Sequence, residues 1–182
     1  MPSSPRDAVR PLLRTRQVRE FTGAPLPDDV LDSITDVARW TGSSKNTQPW
    51  RFIVVRDRQI IRRLHEAGLP QTRSLATAPA LVAVAVPEDR EGAASHAFDE
   101  GRAVERMLVA ASLLGIAAGV AWVMRDAIPV AREALALPDG WRVRSLVVLG
   151  YPTEAATAPK SPRGRARLPR ESVIFEERWP AD

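Results

Sequence analysis

Two short stretches of this chain carry residue types that could do chemistry. TRQVREF, residues 15–21, sets Arg16 and Arg19 three positions apart, and GSSKNTQPW, residues 42–50, gathers Ser43, Ser44, Asn46 and Gln48. Arginine offers planar, multi-donor, charge-assisted contacts to an anion. Small hydroxyl and amide side chains offer donors and acceptors to something flat and polar. The bland alternative is that both stretches are plain helix-end chemistry, because an amphipathic helix pattern, PLPDDVLDSITDVARW, lies between them.

Most other chemistry is excluded. The chain has no cysteine, which removes disulfides, iron–sulfur clusters, cysteine zinc sites and thiol catalysis. Its two histidines, His65 and His96, stand in no metal-ligand spacing, so no protein-bound metal is expected. His65 reads as a partly buried helix histidine beside Leu64, and His96 as a residue near a helix start. Asp99 and Glu100 read as first-turn acids that complement a helix dipole. There is no GxxxxGK, no GxGxxG after a strand and no GxSxG elbow. No nucleophile–base pair is legible and no catalytic side chain is assigned, so an enzyme built from this chain would borrow its chemistry from a cofactor.

The elements that must position these residues alternate between helix and strand. Ser3-Ser4-Pro5 resembles a helix start, and Pro11 either kinks that helix or begins a shorter one. From Asp28, the residues Val30, Leu31, Ile34, Val37 and Ala38 form a helical apolar stripe. WRFIVVRD, ALVAVAVPE, GVAWVM and VRSLVVLGYP read as four strands. RQIIRRLHEAG is a helix closed by Gly68. Ser95 to Gly115 is the longest helix, with Phe98, Val104, Met107, Leu108, Ala111 and Leu114 on its apolar face. IPVAREALAL is a further helix. After Tyr151, TEAATAPKSPRGRARLP lacks periodicity, yet SVIFEERW regains a strand-like apolar signal. Residues 151–182 therefore read as an extended arm that docks on something, another subunit for instance.

The whole, residues 1–182, is expected to be a single domain, with 45% apolar residues to supply a core. No run approaches the roughly 18–20 apolar residues of a membrane span, and MPSSPRDAVRP has no apolar h-region. A cytoplasmic protein away from the membrane is expected. The formal net charge is +4. The basic residues are nearly all arginine and, apart from the Arg163–Arg170 cluster, are interleaved with acids, so nucleic-acid binding is not expected.

Taken in order, TRQVREF, the APLPDDVL helix start, GSSKNTQPWRFIVV, DEGRAVERMLVAASLLGIAAG and LGYPTE…RLPRESVIFEERW resemble the FMN-dependent nitroreductase family along nearly the whole chain. The resemblance implies an α+β, three-layer fold: a central mixed, mostly antiparallel sheet flanked by helices, with a C-terminal arm exchanged between subunits of a homodimer. It also implies FMN as cofactor. Arg16 and Arg19 match the opening motif and, with Gln17 between them, are assigned to the phosphate and ribityl region, with Arg165 and Arg167 completing the clamp. Ser43, Ser44, Asn46 and Gln48 match the segment that in the family approaches the flavin from the partner subunit. Ala121, Trp122 and Val123 align with the strand end whose backbone faces the flavin ring. Departures are Thr15 where the motif has arginine, Gln17 where it has serine, and Gly42 where it has proline. The short interval PEDREGAAS lacks the insertion with which larger members roof the flavin, so an open or differently covered pocket is expected.

The activity implied is ping-pong hydride transfer from NADH or NADPH to a small-molecule acceptor, such as a nitroaromatic, a quinone or an unsaturated metabolite. Alternatives are a specialised flavoenzyme acting on a natural-product or peptide intermediate, or a non-catalytic flavin-binding protein.

Overall fold

Two runs of branched apolar residues, ALVAVAVP and WRVRSLVVLG, form the middle of a four-stranded sheet. In the computed structural model, which describes residues 4–158 and 167–180, the chain order begins with two short helices, α1 (Pro5–Ala8) and α2 (Arg10–Arg14). There follow α3 (Asp28–Arg39), β1 (Arg51–Val55), α4 (Arg58–Ala67), β2 (Ala80–Pro87) and α5 (Ala93–Leu113). The chain continues through β3 (Ala117–Trp122), α6 (Ile128–Ala134), β4 (Trp141–Gly150) and α7 (Glu154–Thr157). The sheet order is β1-β2-β4-β3, with every ladder antiparallel. The central pair, β2 and β4, is buried on both faces, which is why its sequence runs apolar without alternation.

Alternation along these strands divides the core into two layers. Leu81, Ala83, Leu146 and Val148 face one side and pack with Ile61 and Leu64 of α4 and Ala131 of α6. Val82, Val84, Val147 and Leu149 face the other, against Leu31, Ile34 and Ala38 of α3 and Val104, Met107 and Ala111 of α5. Each fully buried Leu, Ile, Val or Met among these contributes about 1.5–3 kcal/mol relative to exposure. The result is the expected three-layer α+β arrangement. Its one parallel contact among the described residues is the bridge between Gln17 and Ala118.

Helix ends follow local chemistry. Ser4 caps α1 by accepting the Asp7 N–H, and Pro11 sits in the first turn of a separate α2, which resolves the choice between a kink and a new helix. Asp57 accepts from the Gln59 and Ile60 N–H groups at the start of α4. After α5, Gly115 adopts φ +72 while the Ile116 N–H donates to Ala111 O and the Gly115 N–H to Ser112 O, a Schellman ending. Gly68 does close α4, but with φ −112. Its lack of a side chain instead admits the Thr72 methyl.

Two expectations need correction. Phe98 and Leu114 are 68% and 46% exposed rather than on the buried face of α5. Phe98 lies roughly 120° round the helix from Val104 at 3.6 residues per turn, and Leu114 is already the cap residue. In the single chain SVIFEERW lies outside the sheet: Arg170–Ser172 is a short 3-10 turn, and Val173, Ile174, Phe175 and Trp179 are exposed. A strand needs an edge to pair with, and among the described contacts none is supplied. Phe175 and Trp179 pack edge-to-face on each other, 4.9 Å between centroids. Finally, Asp99 and Glu100 are not first-turn acids. The helix starts at Ala93, and both carboxylates are buried, 1% and 5% exposed.

Candidate functional site

β3 is an edge strand, and its free side is only partly finished. In an antiparallel ladder, alternate residues direct both backbone groups to the same side. The Val123 N–H donates to Arg144 O at 2.8 Å, which puts the odd-numbered residues toward β4. The even-numbered ones therefore face outward. Ala118 O accepts the Val18 N–H at 2.7 Å, and the Val120 N–H donates to the side-chain oxygen of Gln17 at 3.2 Å. The opening segment thus lies along β3, with the Gln17 amide doing the work of one backbone carbonyl. Gly119 makes the close approach possible, because any Cβ there would collide with Val18 O. The next outward group along the edge is the N–H of Trp122, for which the described contacts supply no partner. The Trp122 side chain is 47% exposed, whereas Ala121 and Val123 are buried.

The arginines of the opening motif stand on either side of buried Val18. The Arg16 guanidinium donates to Thr157 O at the end of α7. Together with Arg14, Ser112, Gly115, Ala117 and Thr157 it lines a concave pocket between the opening segment, the end of α5 and α7. Arg19 is exposed and does not line that pocket. Arg165 lies outside the described residues, and Arg167 is on the surface where the described chain resumes.

The polar loop is a separate and strained construction. Lys45, Asn46 and Gln48 all have positive φ, at 49, 54 and 49 degrees. For residues other than glycine this conformation costs on the order of 1–2 kcal/mol each and persists only where surroundings over-determine it. Here they do. The Asn46 N–H donates to Ser43 O and the Thr47 N–H to Ser44 O, each at 3.0 Å. The Gln48 N–H donates to Ser43 Oγ at 2.9 Å, and Arg51 donates to Gln48 O at 3.1 Å. The Ser44 N–H donates to Asp99 Oδ2 at 3.0 Å. Pro49 and Trp50 are buried behind the loop, while the side chains of Ser44, Asn46 and Gln48 are exposed and Ser43 is half-buried.

The two halves do not meet within one chain. The loop leads into β1 and Trp122 ends β3, at opposite edges of the sheet. Three strand spacings, roughly 14 Å, separate those edges. What links them is α5: Asp99 holds the loop, and the next residue, Glu100, accepts from Ser145 Oγ at 2.6 Å on β4, opposite Trp122. Glu100, Gly101, Trp122, Arg142, Arg144 and Ser145 line a second pocket beside that strand end. Sequence reasoning missed these two acids. Their spacing to Ala103, Val104 and Met107, which places Glu100 on the buried face, was the available signal.

Neither histidine lines the two pockets described above. His65 Nδ1 is 3.1 Å from Thr72 O, and Thr72 Oγ1 donates back to His65 O at 2.7 Å. His96 Nδ1 is buried without a hydrogen bond, at the start of α5. No group of three His, Cys, Asp or Glu suited to a metal occurs among the described residues, and no described helix is long and apolar enough to cross a membrane.

Known structures share this architecture. B. megaterium NfrA2 matches with a TM-score of 0.83 and 25% identity, over 96% of this chain and 76% of that one. The Vibrio harveyi NADPH:FMN oxidoreductase complexed with NAD+ has the same fold at a TM-score of 0.79 and 20% identity, over 95% of this chain and 78% of that one. Layering, strand order and these likenesses define a protein of the nitroreductase fold. In sequence, the Thermus thermophilus NADH dehydrogenase is 28% identical, covering 93% of this chain and 95% of that protein. The profile of the Nitroreductase family matches residues 12–86, from the opening arginines through the polar loop and into β2.

Gln17→Ala should leave the Val120 N–H without an acceptor, a loss of about 1–3 kcal/mol for a group that is not otherwise solvated. Amide hydrogen exchange is expected to quicken at Val120 while the amides of the β2–β4 ladder stay protected. Unchanged protection at Val120 would mean that Gln17 does not finish the edge.

Proposed function

We propose that this protein is an FMN-dependent oxidoreductase that takes electrons from NADH or NADPH and delivers them to a small acceptor such as a nitroaromatic, a quinone or an unsaturated metabolite. The observation that carries the reading is the edge of β3, where an outward backbone N–H at Trp122 continues a line already set by Val18 and Gln17, with Arg16 and Arg19 beside it. The residues fit FMN. A dianionic phosphate suits guanidinium donors, and the concave surface that Arg14 and Arg16 share with Ser112 and Thr157 is open to receive one. A flat ring with acceptor atoms suits an unpartnered N–H at a strand end. The named activities of relatives, an NADH dehydrogenase and an NADPH:FMN oxidoreductase, support the same reading.

When bound, FMN supplies the hydride chemistry. The chain's own residues bind and orient. Arg16 and Arg19 hold the phosphate and ribityl region, joined by Arg165 and Arg167 from the arm. The Trp122 N–H meets an acceptor on the ring, and Gln17 acts by fixing the strand edge from which that N–H projects. Ser43, Ser44, Asn46 and Gln48 approach from a second copy of the chain, since within one chain they lie across the sheet from Trp122. Near-attack placement of donor and acceptor then accounts for rate, without a general acid on the protein.

The homodimer belongs to this proposal. Val173, Ile174, Phe175 and Trp179 are exposed in a single chain, and β1 is an edge strand that could receive an added strand. A chain ending at Gly150 is therefore expected to run as a monomer in light scattering. A truncated protein that stayed dimeric would remove the arm from the interface.

Arg16→Ala should weaken FMN binding about 10- to 150-fold, the scale of one charge-assisted contact worth roughly 1.5–3 kcal/mol. Riboflavin, which lacks the phosphate, should distinguish the two proteins poorly. Fluorescence titrations in which Arg16→Ala and Arg19→Ala both bind FMN like the parent chain would refute the phosphate assignment.

A further inference from the structure

Asp99 stands out among the buried polar groups. It is 1% exposed on the second turn of α5, yet it serves nothing in its own helix start. One carboxylate oxygen, Oδ2, accepts the Ser44 N–H across 55 positions of sequence. The other, Oδ1, has no hydrogen bond and is 3.6 Å from the Arg102 guanidinium one turn on. A buried carboxylate is costly unless it is paired and hydrogen-bonded, so its retention calls for a use.

The loop it reaches supplies that use. Ser44 opens the turn in which Lys45, Asn46 and Gln48 are all left-handed. Most of the bonds that hold this shape are local to residues 43–51, but the Ser44–Asp99 bond ties it to the body of the protein. The Arg102 guanidinium lies against Gly42, where a Cβ would come within 3.0 Å of its Nη2. Gly42 has no positive φ, so what glycine contributes there is room for Arg102 rather than conformational freedom. Arg102 in turn sits beside the carboxylate. Helix, glycine and loop thus form one latch.

We propose that Asp99 is a positioning residue of the polar loop: by accepting the Ser44 N–H it holds the left-handed turn that presents Asn46 and Gln48 outward, and so sets how tightly the flavin of a second copy is gripped. This rests on the FMN reading above. The acceptor position matters here, not the charge, because Arg102 is half-exposed and its contact with the carboxylate is long.

The test uses the full chain with three substitutions, read by FMN titration and by amide exchange over residues 43–48. Asp99→Asn keeps an acceptor in place and should stay within about threefold of the parent in both measurements, since it loses only a long, partly screened ion pair. Asp99→Ala should weaken FMN about 10-fold or more and quicken exchange at Asn46 and Gln48, because the Ser44 N–H loses its acceptor and the turn its tie to α5. Asp99→Glu, which keeps the charge but displaces the acceptor by a methylene, should follow Asp99→Ala and serves in its place if the alanine variant does not fold. Parent-like FMN affinity in both Asp99→Ala and Asp99→Glu overturns the proposal. A loss in Asp99→Asn as large as in Asp99→Ala also overturns it, because charge would then be the cause. If the parent chain takes no FMN, the cofactor reading itself has failed.

Discussion

The arrangement of the site depends on how the free edge of β3 is finished. An edge strand presents unpaired N–H and C=O groups that must be covered, blunted or used. Here Val18 and the Gln17 side chain cover the first two outward positions, and the third, at Trp122, is left over. The same two contacts fix where the opening arginines sit, because Arg16 and Arg19 flank the residue that makes the backbone bond. Gly119 permits the approach, and no other residue would. Two arginine side chains and a backbone donor are thus set along one edge by a single short pairing.

The opposite edge is built on a different principle. The polar loop before β1 is held in a conformation that its own residues disfavour, and the bonds that enforce it include one from α5. Adjacent residues of that helix reach in two directions, Asp99 to the loop and Glu100 to Ser145 beside Trp122. Two neighbouring residues of α5 therefore contact both the polar loop and the strand beside Trp122. On the reading proposed above, a complete site calls for a second chain to bring its loop to the edge of β3.

Much of the fold was legible in the sequence because burial on two faces leaves an unmistakable apolar run. β2 and β4 are of this kind, and the stripe of Leu31, Ile34 and Ala38 follows helical spacing closely. The motif residues could be located but not their engagements. Gln17 bonds a backbone group 103 positions away, and the strain at Lys45, Asn46 and Gln48 is invisible without the partners that impose it. Asp99 and Glu100 were misjudged because the start of α5 was placed at Ser95, two residues late, which turned buried acids into ordinary first-turn ones. Whether the apolar residues of SVIFEERW pair depends on an edge that local sequence does not encode.

The central claim is that the edge of β3, completed by a second copy, holds FMN in a form that reduced nicotinamide can reach. Its most direct test is the visible absorption spectrum of the purified full chain after incubation with FMN and removal of the unbound excess. The account predicts a yellow protein with one flavin per chain, whose flavin absorbance bleaches when NADH or NADPH is added without oxygen. A colourless protein that takes up no FMN, or a bound flavin that neither nicotinamide bleaches, would contradict it.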